Sequence, residues 1–255
     1  MKKILTVALA GVLAASMMFT GCSKKEEAKS EGEIPKTIVV GTNAEFPPFE
    51  YVNDDKEIDG FDMAVMKEIG KRLDCKVKIK NMEFKSLIGA MESKNLDVIA
   101  AGMTVTDERK EAVDFTDSYY TSNQYIIVKE DSKVKKISDL DGKTIAVQEG
   151  TTGDLVATGD YDSVKDAKVK RFKKGVDAVM DLKKGGSDAV IIDANPAQEF
   201  VKANEGLRLI KDQSSKEYYA FAIQKGNKKL QKAINKELEA MKKDGTFDKL
   251  IKKYI

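Results

Sequence analysis

Apolar residues recur along this chain at two alternating periods. Thr37-Ile-Val-Val-Gly41 is a short β-branched run. Phe61, Val65, Ile69 and Leu73 then repeat at the spacing of one helix face, behind Asp59, which can cap a helix starting near Gly60. Lys76-Val-Lys-Ile-Lys80 alternates as a strand does, and Leu87 and Met91 mark a second helix. That helix leads into Leu96-Asp-Val-Ile-Ala-Ala101, an apolar run that reads as a buried strand ending at Gly102. The first half therefore reads β-α-β-α-β. The pattern restarts with a strand at Lys143–Val147, a short helix from Asp154 to Ala157, a strand at 167–172, a helix at 176–184 and a strand at 188–192. The runs Asp97-Val-Ile-Ala-Ala101 and Asp188-Ala-Val-Ile-Ile192 look alike, a faint internal duplication that predicts two similar α/β lobes. Tyr218–Gln224 reads as one further strand, and two helices close the chain, from Asn227 to Lys243 and from Thr246.

The first residues follow a different logic. Lys2 and Lys3 precede an apolar run from Ile4 to Phe19, too short for a spanning helix of roughly 20 residues. Residues 1–21 read as a signal peptide. The break at Thr20-Gly21-Cys22 resembles a lipobox, in which the cysteine after the cut becomes the lipidated N-terminus; Phe19 departs from the aliphatic residue usual there. Residues 22–37 then form the lipidated cysteine and a Lys/Glu/Ser/Gly tether without apolar periodicity. Such a chain is extracytoplasmic, anchored to the outer face of the cell membrane or periplasmic.

Composition narrows the chemistry. Charged residues make up 34% of the chain, yet the formal net charge is only +2, which argues against a nucleic-acid partner. Histidine is absent, so Ser-His and Cys-His nucleophile pairs and the commonest zinc ligand are missing. No metal site and no cofactor are indicated. Cys75 is the one cysteine after Cys22, so the mature body has no intrachain disulfide.

A strand end followed by Gly102-Met-Thr-Val-Thr-Asp-Glu-Arg109 is where open α/β sheets hold small ligands. Only four of the 44 basic residues are arginine, and the guanidinium of Arg109 can clamp a carboxylate with two parallel hydrogen bonds. By local pattern alone, Arg109 serves equally well as a helix-face cation, Gly150-Thr-Thr-Gly153 as a capped turn, Asp193 as a helix cap, and Phe46 and Phe84 as core.

Gly102–Arg109 resembles the ligand signature of polar amino-acid solute-binding proteins of ABC uptake systems, the extracellular solute-binding proteins of family 3. Gly41–Tyr51, Gly60-Phe-Asp62, Val113–Tyr120, Gln148–Gly153, Asp188–Asp193 and Asp244–Lys249 follow that family's order and cover nearly all of 37–255. The resemblance implies the two-lobed type II periplasmic-binding-protein fold, each lobe a sheet flanked by helices. Lobe 1 would comprise 38–121 and 219–255, lobe 2 residues 122–218, with hinge strands near Thr121–Tyr125 and Glu217–Ala220. It also implies a site between the lobes. Arg109, Thr104 and the backbone N–H groups at Thr152 would hold an α-carboxylate. Asp193 and the Gly102 carbonyl would hold the α-ammonium, Phe46 and Phe84 would sandwich the ligand's side chain, and Asn43 and Gln148 would reach its polar end. Glu45, beside Phe46, is placed to neutralise a distal cation if it faces the pocket.

Three functions compete on this pattern. The first is capture of a polar L-amino acid, glutamine or arginine foremost, by a monomer that hands it to an ABC permease and, through it, the ATPase. The second is an enzyme of the cyclohexadienyl or arogenate dehydratase type on the same scaffold. The third is the sensor part of a signalling receptor. A zwitterion clamp without histidine favours the first and argues against an enzyme.

Overall fold

The computed structural model describes residues 32–159, 164–211 and 216–255. The signal segment and Cys22 lie outside them. Two sheets carry the architecture. The first, of five strands, runs in the order Lys76–Asn81, Thr37–Thr42, Val98–Ile99, Ala222–Gln224, Val113–Phe115. Thr37–Thr42 pairs in parallel with both its neighbours, and Ala222–Gln224 enters antiparallel. The second sheet runs Lys168–Phe172, Thr144–Gln148, Ala189–Asp193, Tyr120–Lys129, Leu207–Ile210. Its first three strands are parallel. Helices flank the sheets, as an α/β architecture with parallel strands requires.

The parallel cores are buried on both faces. Against the first sheet, helices Phe61–Arg72, Lys228–Lys243 and Thr246–Tyr254 bury Val65, Ile69, Leu230, Ile234, Leu238 and Phe247. Leu87, Met91, Leu96 and Val113 fill its other side. In the second sheet, Ala178, Leu182, Val190 and Phe200 pack on one face and Val128, Ile145, Val147 and Ile191 on the other. The duplication has a physical counterpart: the Asp97 carboxylate accepts the Val39 N–H, and the Asp188 carboxylate accepts the Thr144 N–H, each at 2.8 Å. In each sheet the acid before the apolar run locks the end of the neighbouring strand.

The structure corrects several expectations. Asp59 does not cap the first helix. Gly60 stands at the N-cap with φ 123°, its Cα so close to the chain that a Cβ would lie 2.3 Å from the Phe49 carbonyl oxygen. Asp59 instead accepts a hydrogen bond from the Tyr254 hydroxyl. The expected strand over 96–101 is regular only at Val98–Ile99. The expected strand Tyr218–Gln224 is two. Lys216–Tyr219 pairs with the start of Tyr120–Lys129, and Ala222–Gln224 with the first sheet. Between them Ala220 N–H donates to the Met103 carbonyl and Phe221 N–H to the Thr116 hydroxyl, so the chain changes partners there. The antiparallel pair formed by Tyr120–Asn123 and Lys216–Tyr219 joins the two sheets where the hinge was expected.

Candidate functional site

Between the sheets lies a nearly closed cavity of about 10 Å³, room for about one water and far below the roughly 300–1,000 Å³ usual for ligand pockets. Asn43, Phe46, Glu50, Phe84, Ala101, Gly102, Thr104, Arg109, Gln148, Thr151, Thr152 and Asp193 line it. Every substrate-site residue expected from the sequence is among them.

Arg109 sits in the helix Asp107–Ala112, whose N-cap hydroxyl, Thr106, accepts the Arg109 N–H. Its guanidinium donates to the Thr104 carbonyl at 2.7 Å and to the Gly150 carbonyl at 3.0 Å, and lies 5.3 Å from the Phe84 ring centroid. It is 8% exposed, which excludes the surface-cation reading. The two carbonyls come from opposite sides of the cleft, so one planar group ties them together. On the Gly150 side, Thr151 caps the helix Thr152–Thr158.

Asp193 ends the strand Ala189–Asp193 and occupies the N-cap position of the next helix, but its side chain makes no capping bond. It accepts the hydroxyl of Tyr219 instead. Burial, then the charge of Glu217, push its carboxyl up to about 8. Gly102 has φ 51°, donates its N–H to Asp62 and leaves so little room that a Cβ would lie 2.8 Å from the Phe46 ring.

Asn43 and Gln148 do not stand open to a ligand. The Gln148 amide donates to the Asn43 side-chain oxygen at 2.8 Å and to the Lys173 carbonyl at 3.3 Å, while Asn43 donates to the Met82 carbonyl. The pair closes on itself across the cleft, so an apolar ligand would not strand it. Glu45 is absent from the lining and forms an ion pair with Lys174 at 2.5 Å. With Lys85–Glu149 and Lys173–Glu83, it belongs to a rim of pairs that join the two sides. Each is partly exposed and screened by solvent, so each adds little to stability.

Sequence reasoning missed the acids beneath the cavity. Glu50 is 1% exposed, lines the cavity and has one carboxyl oxygen without a hydrogen-bond partner. Burial first, then the charge of Asp62, hold its carboxyl well above the usual range, so it keeps its proton and donates it to Asp62. Asp62, itself pushed by burial up to about 6, also accepts the Tyr119 hydroxyl and the Gly102 N–H. Glu217 accepts the Thr104 hydroxyl at 2.6 Å, the Thr152 hydroxyl at 2.9 Å and the Gln124 amide at 3.0 Å. A signal for Glu217 was available: in a strand it shares the inward face of Tyr219, two residues on.

Two sheets joined by a pair of strands, enclosing a polar cavity crossed by hydrogen bonds from both sides, define a two-lobed solute-binding protein of the type II periplasmic class. The chain belongs to the bacterial extracellular solute-binding proteins, family 3, which it matches over residues 38–255. It is 33% identical over 257 residues to the arginine-binding extracellular protein ArtP of Bacillus subtilis (strain 168), covering 100% of this chain and 98% of that protein. The solved structure of an ancestral arginine-binding protein bound to arginine superposes with a TM-score of 0.82 at 41% identity, covering 88% of this chain and 100% of that one. Holo ArgBP from T. maritima superposes with a TM-score of 0.76 at 42% identity, covering 81% and 91%. Among the described residues no helix is long and apolar enough to cross a membrane.

Proposed function

We propose that this protein captures L-arginine outside the cell and delivers it to an ABC permease without turning it over. The observation that carries the choice of ligand is the charge inventory of the cavity. Among the described residues Arg109 is the one cation in the lining, whereas the carboxyls of Asp193 and Glu50 line it and Asp62 and Glu217 lie behind them, acids that a cationic ligand can draw into their charged form. A neutral zwitterion brings one positive group to this set. Arginine brings two, and its flat guanidinium fits against the Phe46 and Phe84 rings, which line the same space. Arg109 and the N–H groups around Thr152 receive the α-carboxylate, and Asp193 with the Gly102 carbonyl receives the α-ammonium. The clamp closes because only the closed form touches both ends of the ligand. Lobe 1 spans 38–121 and 219–255, and lobe 2 spans 122–218.

Binding of the twenty L-amino acids by calorimetry tests this reading. The expected result is one site per chain with arginine tightest, glutamine, lysine and histidine weaker, and no conversion of arogenate or prephenate. Tightest binding of leucine, valine or glutamate would overturn the pocket assignment, and steady product formation would make the protein an enzyme.

In this reading the body is a monomer tethered through lipidated Cys22. Two acyl chains on one residue anchor stably where a single chain is marginal. A Cys22→Ser protein is expected to lose the lipid label and to accumulate as soluble or uncut protein; label retained on it would remove the anchor.

A further inference from the structure

Glu217 stands behind the cavity lining, where it has counted above only as one of the site's acids. Its surroundings are unusual for a carboxylate. It is 6% exposed and next to a second buried acid, Asp193. Buried acids are costly unless hydrogen bonds or a proton satisfy them. Here both occur. Glu217 takes hydrogens from Thr104 on the first-sheet side, Thr152 on the second-sheet side and Gln124 of the hinge strand. A hydroxyl has one hydrogen to give, so the Thr104 and Thr152 side chains, committed to Glu217, have none left for a ligand carboxylate.

We propose that Glu217 is a positioning residue for the ammonium end of the ligand: it fixes the Thr104 and Thr152 hydroxyls from opposite sides of the cleft and keeps a proton on Asp193 until a cationic amine takes that proton's place. This rests on the amino-acid reading of the site. When the ligand arrives, the O–H bond of the Asp193 carboxyl breaks, its electron pair stays on the carboxylate and the proton leaves to solvent. The ligand's ammonium keeps its hydrogens and donates to the new anion. The charged and titratable groups facing this pair are the Tyr219 phenol on Asp193, the Glu50 carboxyl with Asp62 behind it, and Arg109, which is held on the Thr104 carbonyl. Burial raises Glu50 and Tyr219 well above their ordinary values, so both stay neutral across the range in which Asp193, at about 8, titrates. Asp62, at about 6, lies at the lower end of that range and is kept apart by Glu50.

The sign follows from the proton's direction. A group that must lose a proton to bind makes affinity rise with pH up to its own titration and level off above it. Calorimetry with L-arginine between about pH 6 and pH 8, in buffers of differing ionisation enthalpy, should count close to one proton released per ligand near neutrality and a gain approaching about tenfold in affinity per pH unit. In Glu217→Gln, loss of the neighbouring charge lowers the Asp193 titration. The rise in affinity should then move to lower pH and the proton count near neutrality should fall. A merely structural residue would lower affinity by the same factor at every pH. Wild-type binding with no proton release overturns the inference and leaves the amino-acid reading standing. Failure of the wild type to bind any of the twenty L-amino acids removes that reading and the inference with it. The wild-type proton count decides the matter even if the variant does not fold.

Discussion

Arg109→Ala is expected to weaken arginine binding by about 2–5 kcal/mol, about thirtyfold to several thousandfold, while the protein stays folded. The guanidinium is buried and is held by the carbonyls of Thr104 and Gly150 from opposite sides of the cleft. Its loss therefore acts twice. A ligand carboxylate loses its fork, and the closed cleft loses a bond between its halves. Arg109→Lys should recover only part, because an ammonium can satisfy one carbonyl and a carboxylate but cannot do so in a planar fork. The second effect also predicts that the empty alanine variant is more open than the wild type. Small-angle scattering with and without ligand would measure this. Unchanged affinity in a folded Arg109→Ala protein would show that the arginine serves the scaffold alone.

Glu50→Gln should change which ligand is preferred rather than whether one binds. A glutamine at 50 keeps a donor for Asp62 and an oxygen beside the cavity, so the buried pair stays satisfied, but it cannot give up a proton to become an anion when a cation arrives. Hydrogen bonds to charged groups contribute about 1.5–3 kcal/mol, so arginine affinity should fall by about tenfold to more than a hundredfold. Glutamine, which brings no side-chain cation, should bind the variant about as well as the wild type. The ratio of the two dissociation constants is the measurement. An equal loss for both ligands would mean that Glu50 holds the hairpin Glu45–Val52 in place and does not sense charge. Glu45, paired with Lys174 at the rim, should show no such selectivity when changed to glutamine.

The alternation of periods along the chain was enough to predict two α/β units and most of their elements. Burial decides helix and strand faces, and burial is what a pattern of apolar residues records. Phe61, Val65 and Ile69 are fully buried as their spacing requires, while Leu73, past the helix end, is only partly covered. The residues that line the cavity were legible as candidates for a different reason: they sit at strand ends and turns, in motifs whose resemblance to a family carries the positions directly. Their convergence on one cavity is the part periodicity could not supply.

The tertiary structure alone decided the rest. Whether 218–224 is one strand or two depends on which partner each half meets, and backbone hydrogen bonds to Met103 and Thr116 set that from more than a hundred residues away. The hairpin Glu45–Phe46 and Glu50–Val52 is too short to show a period. The acids were hidden for the same reason. A glutamate looks alike in sequence whether it faces water or a cavity. Glu45 was the visible candidate beside Phe46 and lies in an ion pair at the rim, whereas Glu50, Asp62 and Glu217 became chemical groups of the site only when folding removed water from around them. Sequence determined which residues are present and which faces they share. Desolvation, which exists only in the folded chain, decided which of them carry a proton and which can receive a cation.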